Sequence, residues 1–191
     1  MRYSTEHKEL TRKKILDAAA TRFRAEGYDG LGIDALAKAA GVTNGAFYGH
    51  FASKADAYRE IVVRGLADLR AGIAAHQAEH GTDWVRAFAR FYFGQAKRDY
   101  VENLCALPAF GGEAARAPAP TRAAFEQELR GVQAALAAGL VGADADIRAW
   151  RMLGIMVGGI TLARAVPDAA LAEQLAETYE AALVAAAGPS V

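Results

Sequence analysis

With 191 residues, 53% of them hydrophobic and only five prolines, the chain can bury one sizeable core or two smaller ones, and it favours helices over a sheet. The single cysteine excludes an internal disulfide and suits a reducing cytoplasm. Residues 1–10 are too polar for a signal peptide, and the longest apolar stretch, residues 152–163, is too short for a membrane span. The formal net charge of zero argues against nucleic-acid binding by the chain as a whole.

The charges are nevertheless unevenly distributed. Residues 1–54 hold nine Lys/Arg and six Asp/Glu, whereas residues 55–191 hold thirteen and sixteen. The basic residues of the leading arm are Arg2, Lys8, Arg12, Lys13 and Lys14. Taken singly, each lysine fits an ordinary solvated helix start better. As a cluster in front of the helical motif of residues 33–54 described next, the arm predicts phosphate contacts, with Arg12 and Lys13 among them.

The N-terminal third predicts three helices. The first covers residues 11–26, with an apolar face and Gly27 as its stop. Residues 33–54, IDALAKAAGVTNGAFYGHFASK, contain two short helical patterns joined by Gly41, where the backbone must turn. Thr43 is a good N-cap, and Phe47 and Phe51, four residues apart, anchor the second pattern to the core. This layout is that of a helix-turn-helix. The spacing of the residues, taken by itself, also fits an ordinary αα-hairpin.

The anchoring leaves Thr43, Asn44, Gly45 and Ala46 at the exposed leading end of the second helix. The amide of Asn44 can donate and accept together, as recognition of adenine N6 and N7 requires, while Gly45 and Ala46 leave room for base edges. A further set offers groups suited to phosphate oxygens, namely Tyr48, His50 and Lys54.

The same stretch resembles the DNA-binding domain of TetR-type (tetracycline-repressor-like) transcriptional regulators. The matching residues are Leu36, Ala37, Ala40, Gly41, Val42, Thr43, Gly45, Tyr48, His50, Phe51 and Lys54. The resemblance implies that Thr43, Asn44 and Gly45 lie in the major groove and that Tyr48, His50 and Lys54 touch phosphate. The sequence departs from the family pattern at Gly32, where a Ser or Thr is usual.

The remaining two thirds read as further helices. Ser53 caps a long one that runs to about His80 and would link the DNA-binding head to the rest of the chain. An aromatic helix is predicted over residues 84–98, an irregular segment or short pieces over 103–120, and helices over 121–140, 146–165 and 168–187. The prediction is an all-α protein of about nine helices, with a helix-turn-helix DNA-binding domain (residues 1–54) and a helical ligand-binding and dimerisation bundle (residues 55–191).

The helix over 146–165 carries Gly154, Gly158 and Gly159, which indicates that another helix approaches closely. Packing within the chain explains this as well as a dimer does. The family resemblance favours a homodimer through the last two helices, residues 146–187, and a dimer would place two DNA-binding heads about 34 Å apart, in successive major grooves.

An apolar effector pocket is predicted where aromatic, Pro/Gly-interrupted and Met-bearing segments meet, because TetR-like regulators hold a small ligand in this region. Its expected lining residues are Trp84, Phe88, Tyr92, Cys105, Phe110, Trp150, Met152 and Met156. Polar contacts could come from Tyr92, Arg116 or Arg151. Taken individually, these aromatic and Met residues also fit an ordinary helical core.

Rival patterns have less support. His76 to His80 matches H-x-x-E-H, a zinc-protease signature, but without an obvious third ligand. Cys105 could be a redox-sensing thiol, although no basic residue closely flanks it to lower its pKa. No catalytic or cofactor fingerprint is recognisable, so we expect neither an enzyme nor a bound cofactor.

The sequence hypothesis is therefore a cytoplasmic, dimeric, ligand-responsive transcriptional repressor. It would bind a palindromic double-stranded DNA operator and be released by a small apolar or aromatic effector. The alternative is a small-molecule-binding or redox-sensing helical protein without DNA binding.

Overall fold

The computed structural model describes residues 3–100 and 104–188, with side chains from residue 6 onward in these ranges. There the chain forms ten α-helices, a 3-10 turn and no strand, which confirms the all-α prediction. The helices are α1 (Tyr3–Glu26), α2 (Ile33–Ala39), α3 (Asn44–Tyr48), α4 (Lys54–His80), α5 (Trp84–Phe93), α6 (Gln95–Asp99), α7 (Ala106–Ala114), α8 (Ala119–Ala138), α9 (Ala145–Ala165) and α10 (Ala169–Ala187). In the same ranges, no helix has both the length and the apolar character needed to cross a bilayer.

The first three helices and the start of α4 pack around the N-terminal part of a hydrophobic core that continues into the rest of the molecule. The fully buried side chains of this part come from each of these helices, and they include Ile15, Phe23, Leu36, Phe47 and Phe51. The N-terminal head therefore shares both its apolar core and α4 with the rest of the molecule.

Helix α1 begins at Tyr3 and not near residue 11. Thr11 lies inside this helix and does not cap it, and its hydroxyl donates to the His7 carbonyl one turn earlier at 2.9 Å. Nothing in residues 3–10 breaks a helix, since the segment contains neither glycine nor proline.

The predicted helix over 84–98 is interrupted. Gly94 takes an extended conformation (φ −61°, ψ 155°), so the segment divides into α5 and the short α6.

The Pro/Gly-rich segment over residues 103–120, in contrast, contains a true helix, α7. Pro108 stands in the first turn of α7, where a missing backbone N–H costs nothing.

The remaining helices form a bundle. Helix α8 packs against α4 and α9, and α10 packs against α9 and α5. Large side chains from these helices fill the centre, including Phe88, Phe93, Leu136, Met152 and Met156. One end of α4 thus belongs to the head and the rest to the bundle.

The three glycines of α9 have different surroundings. A Cβ on Gly159 would lie 2.6 Å from Tyr179 and 2.8 Å from Phe93, so this glycine permits close packing within the chain. A Cβ on Gly154 or Gly158 would meet no atom within 4 Å. Intrachain packing therefore explains one of the three glycines and leaves two on an open face of α9.

Candidate nucleic-acid interface

Helix α3 is held to the head from one side only. Phe47 and Phe51 are buried, with ring centroids 5.4 Å apart. The turn in front of α3 is closed by Gly41, which has a φ of +63°, and by the Val42 N–H, which donates to the Ala37 carbonyl at 2.9 Å. The Thr43 hydroxyl accepts the Ala46 N–H at 3.1 Å, which confirms the predicted cap.

The opposite side of α3 is open. Thr43, Asn44 and Gly45 are exposed, and Ala46 is half-buried. The nearest atom to a Cβ built on Gly45 is the Thr43 hydroxyl, 3.9 Å away. Nothing inside the protein requires a glycine at this helical position, where it costs about 1 kcal/mol relative to alanine. The small residues thus leave a helix end that another molecule can approach closely.

Asn44 has a partner that the sequence analysis did not identify. Its side-chain NH2 donates to the carboxylate of Asp34, which lies in the first turn of α2. Both side chains are exposed. The ten-residue spacing is no motif, and only the crossing of α2 and α3 brings them together.

Tyr48 and His50 follow at the far end of α3. Tyr48 is 56% exposed, with its ring edge-on to that of Phe47. His50 is half-buried, and desolvation, assisted by the positive charges of Lys8 and Arg12, lowers its pKa below the ordinary value of 6.5. At neutral pH His50 is therefore an uncharged imidazole with hydrogen-bonding capacity.

Lys54 does not point outward as expected. Its ammonium donates to the backbone carbonyls of Tyr28 at 2.9 Å and Leu31 at 3.0 Å, and it lies 4.0 Å from the Tyr28 ring centroid. Lys54, at the start of α4, thus provides a donor to two carbonyls of the loop between α1 and α2. In this structure Lys54 joins the α1–α2 loop to α4.

Arg12 and Lys13, the two predicted contacts of the arm, likewise form ion pairs within the chain, at or near its surface. The guanidinium of Arg12 pairs with both carboxylate oxygens of Glu60 and lies over the Phe51 ring. This pairing raises the pKa of Arg12. The Lys13 ammonium is 2.8 Å from the Asp17 carboxylate one turn later.

Other basic residues of the arm have different positions. Lys8 and Lys14 are exposed, and the Lys14 ammonium lies close to Gly41, 3.3 Å from where a Cβ would stand. Lys14 therefore places a positive charge beside the turn that leads into α3. Arg2 lies outside the described residues.

The head is joined to the bundle through α7. One carboxylate oxygen of Glu113 accepts the Tyr28 backbone N–H at 2.7 Å, and the other accepts the Tyr58 hydroxyl at 3.2 Å. Arg24 of α1 donates to the Leu104 carbonyl at 3.0 Å. A movement of α7 would therefore act directly on the α1–α2 loop and on α4.

Most predicted effector residues meet in the bundle, but they pack against one another. Phe88, Tyr92, Phe110, Met152 and Met156 are all at least 97% buried. The Phe88 and Tyr92 ring centroids are 5.7 Å apart, which is ordinary aromatic packing. The region is a filled core in this structure.

The two predicted tryptophans lie elsewhere. Trp150 is 43% exposed on the outer face of α9, so it does not line an internal pocket. Trp84 is buried, its indole N–H donates to the Gly139 carbonyl at 2.9 Å, and it lines a cavity of about 400 Å³ beside the C-terminal end of α4. Arg116 and Arg151, named as possible polar contacts, are exposed. The helical period alone did not show which face of α9 turns inward.

Tyr92 and Cys105 form the polar part of this region. The Tyr92 hydroxyl is buried beside the Cys105 thiol, and among the described residues it has no hydrogen-bond partner of ordinary geometry. Burial raises the pKa of both groups. A raised thiol pKa keeps Cys105 protonated at neutral pH and disfavours a redox-sensing role.

The histidine pair of the zinc-protease signature has no metal-site surroundings. The His76 and His80 ring centroids are 5.7 Å apart, but His76 Nδ1 hydrogen-bonds to the Gly72 carbonyl. Across the described part of the chain, no group of three His, Cys, Asp or Glu side chains could hold a metal ion.

Comparison with known proteins agrees with this geometry. Residues 15–61, from α1 to the first part of α4, match the family described as bacterial regulatory proteins, tetR family. A segment of 60 residues is 42% identical to the HTH-type transcriptional regulator AcrR of Shigella flexneri. It covers 31% of this chain and 28% of that protein, so the sequence similarity is confined to about a quarter of the relative's length.

Similarity of structure extends further than similarity of sequence. A TetR-family transcriptional regulator from Agrobacterium tumefaciens superposes with a TM-score of 0.78 at 20% identity, over 92% of this chain and 98% of its own. One from Cytophaga hutchinsonii gives 0.79 at 17% identity, over 94% and 96%. At such identities the comparison establishes the fold. Residues 15–61 thus match the helix-turn-helix region of the tetR family, and the described chain has the fold of solved TetR-family regulators over nearly its whole length.

Proposed function

We propose that this protein is a DNA-binding transcriptional repressor that reads an operator with the exposed end of α3. The observation that carries the proposal is the arrangement of this helix. Phe47 and Phe51 fix it to the head, while Thr43, Asn44 and Gly45 stay exposed, with no side chain at Gly45 to hold another molecule away. A helix end of this kind can enter a major groove.

Each part of this surface has a distinct role in the proposal. Asn44 recognises a base edge, and Gly45 lets the helix end approach it. Tyr48 and His50 donate to phosphate oxygens, and Lys14 supplies charge beside the turn. Lys54, which bonds to the α1–α2 loop, supports the surface indirectly by fixing that loop against α4.

The proposal includes a homodimer formed through α9 and α10. Ile147, Trp150 and Leu162 are exposed large apolar side chains on α9, and Leu171 is another on α10. Gly154 and Gly158 leave open space on α9 into which a second copy could pack. Two heads related by a two-fold axis would read a palindrome with half-sites about one helical turn apart.

Control by a small apolar or aromatic effector is the remaining part of the proposal. The buried hydroxyl of Tyr92 supports it, because its polar neighbour is the Cys105 thiol, a weak hydrogen-bonding group, and a ligand could offer a stronger partner. Since the surrounding core is filled, an effector must displace side chains near α7. That movement would reach the head through Glu113, and a coupling of about 1–3 kcal/mol would change operator affinity about 5–150-fold.

Selection of bound DNA from a random pool tests the proposal. The full chain should select a palindrome with half-site centres about 10 base pairs apart. Asn44→Ala should still bind the selected DNA but lose the preference at one base pair in each half-site. Gln127→Ala, which removes an exposed amide on α8, is the matched control and should select the wild-type sequence. Failure of the wild-type protein to enrich any sequence would refute the proposal.

A further inference from the structure

A carboxylate lies on the surface that the proposed function turns toward DNA. Asp34 is exposed in the first turn of α2, and its carboxylate accepts a hydrogen bond from the Asn44 side chain. In the described part of the chain, Asp34 forms no ion pair with a lysine or arginine. Its negative charge is repelled by phosphates, so it weakens binding to every DNA sequence. Because Asp34 lowers the affinity of this surface for DNA, we expect it to have another role there.

The hydrogen bond fixes the orientation of the Asn44 amide. An amide side chain has an NH2 group with two N–H donors and a carbonyl oxygen that accepts. The carboxylate of Asp34 can only accept, so it bonds to the NH2 group and repels the carbonyl oxygen. Rotation of the amide by half a turn would place two oxygens face to face. Asn44 therefore presents one orientation outward.

The outward edge still has both functions needed to recognise a base. With one N–H of Asn44 bonded to Asp34, the other N–H and the carbonyl oxygen remain side by side. This pair complements adenine, whose N7 accepts and whose N6 donates. Guanine presents two acceptors, O6 and N7, so the fixed carbonyl oxygen would face O6. An amide free to rotate could instead turn its NH2 group toward guanine.

We propose that Asp34 is a specificity-determining positioning residue, which locks the Asn44 amide so that it accepts adenine and rejects guanine in the operator. This inference rests on the proposed function, because it assigns a base preference to a surface that must first bind DNA. The inference gives Asn44 and Asp34 different roles. Asn44 touches the base, and Asp34 acts only through Asn44.

Two duplexes test the inference. One carries the selected operator, and in the other a G·C pair replaces the A·T pair whose preference is lost in Asn44→Ala. The ratio of the two dissociation constants measures discrimination, which we expect to be roughly 5- to 150-fold for the wild-type protein. Asp34→Ala should reduce the ratio toward one, while affinity for unrelated DNA rises because a negative charge has been removed.

Matched variants separate positioning from charge. Asp29→Ala removes another exposed carboxylate of the head and should keep the wild-type ratio. Asp34→Asn removes the charge but keeps a carbonyl acceptor, so it should retain a ratio between those of the wild type and Asp34→Ala. In the double variant with Asn44→Ala, removing Asp34 should change the ratio no further.

A second measurement needs no DNA. In the wild-type protein, the Asn44 side-chain amide proton bonded to Asp34 should be shifted downfield and exchange slowly with solvent, and Asp34→Ala should return both its shift and its exchange rate to those of an exposed asparagine while the backbone spectrum is retained. A wild-type ratio in Asp34→Ala would overturn this inference alone. A wild-type protein that selects no sequence would overturn the proposed function and this inference with it.

Discussion

Replacing Lys54 separates a contact to DNA from a contact within the protein. Its ammonium donates to two carbonyls of the α1–α2 loop, at 2.9 and 3.0 Å, and lies 4.0 Å from the Tyr28 ring. In Lys54→Met the unbranched stem of the side chain is kept as far as the ε position, but the ammonium with its charge and donors is lost. The variant should therefore be less stable, and its loss of DNA affinity should follow from a looser head.

The magnitude can be worked out from the contacts. A hydrogen bond from a charged group contributes about 1.5–3 kcal/mol, but Lys54 is half-exposed and water can replace part of what is lost, so we take about 2 kcal/mol for the two bonds together. The contact with the ring adds about 0.5–1 kcal/mol. For a protein of this size, a loss of about 2–3 kcal/mol lowers the Tm by roughly 4–12 °C.

Thermal unfolding followed by circular dichroism measures the stability, and fluorescence anisotropy at several salt concentrations measures the DNA contacts. Lys14→Met is the control, because Lys14 is exposed beside the turn. It should leave the Tm nearly unchanged and reduce the slope of log affinity against log salt by about 0.9, the value for one phosphate contact. If Lys54→Met instead keeps the wild-type Tm and shows a salt slope reduced by about 0.9, the assignment of Lys54 to contacts within the protein is wrong.

Four further substitutions probe other parts of the account. Gly41→Ala should lower the free energy of unfolding by about 1–2 kcal/mol, because φ is +63°, and an unchanged unfolding midpoint in urea would contradict this. Gly45→Ala should stabilise the protein by up to about 1 kcal/mol yet weaken operator binding, since the added methyl group meets only DNA; equal affinity would remove Gly45 from the interface. Tyr92→Phe should keep the free energy of unfolding or raise it by up to about 1 kcal/mol in the same urea assay, because it removes a buried hydroxyl whose polar neighbour is the weakly hydrogen-bonding Cys105 thiol; a clear loss would show that the hydroxyl is firmly bonded. In the protein without DNA the pKa of His50 is lowered, and contact with a phosphate should raise it. Operator affinity at constant ionic strength should therefore increase as the pH falls below about 6.5, whereas the affinity of His50→Gln should not change with pH. A wild-type affinity that does not change with pH would exclude the contact.

Features encoded by neighbouring residues were predictable from the sequence. Thr43 and Ser53 cap the helices after them, each accepting the N–H three residues later at 3.1 Å. Phe47 in α3 and Phe51, three residues past the end of that helix, are both buried, as their spacing of four predicts. Such signals depend on one or two helical turns, so no knowledge of the tertiary structure was needed.

Features that depend on distant parts of the chain were not predictable. Lys54 finds carbonyl partners 23 and 26 residues earlier, and Arg12 finds Glu60 48 residues later. The family resemblance implied a phosphate contact for Lys54, but the carbonyls of the α1–α2 loop compete for the same ammonium. The pairing of Asp34 with Asn44 has no sequence signal for the same reason, since it depends on how α2 and α3 cross.

The bundle shows the same limit. Aromatic and Met residues at helical spacing predict burial, and six of the eight predicted effector residues are indeed buried. They do not indicate whether the space between them is open, because that depends on packing at the scale of single side chains. Trp150 shares α9 with Met152 and Met156 but lies on its outer face, where it contributes to the proposed dimer surface.

Substitution of single operator purines by their 7-deaza analogues tests most directly whether α3 enters the major groove. The analogue removes N7, an acceptor found only in that groove, and leaves base pairing intact. We predict that the wild-type protein loses affinity at purines in two short blocks with centres about 10 base pairs apart, and that Asn44→Ala shows no such loss at the purine that Asn44 reads. An operator whose 7-deaza derivatives all bind as tightly as the unmodified DNA would contradict the account.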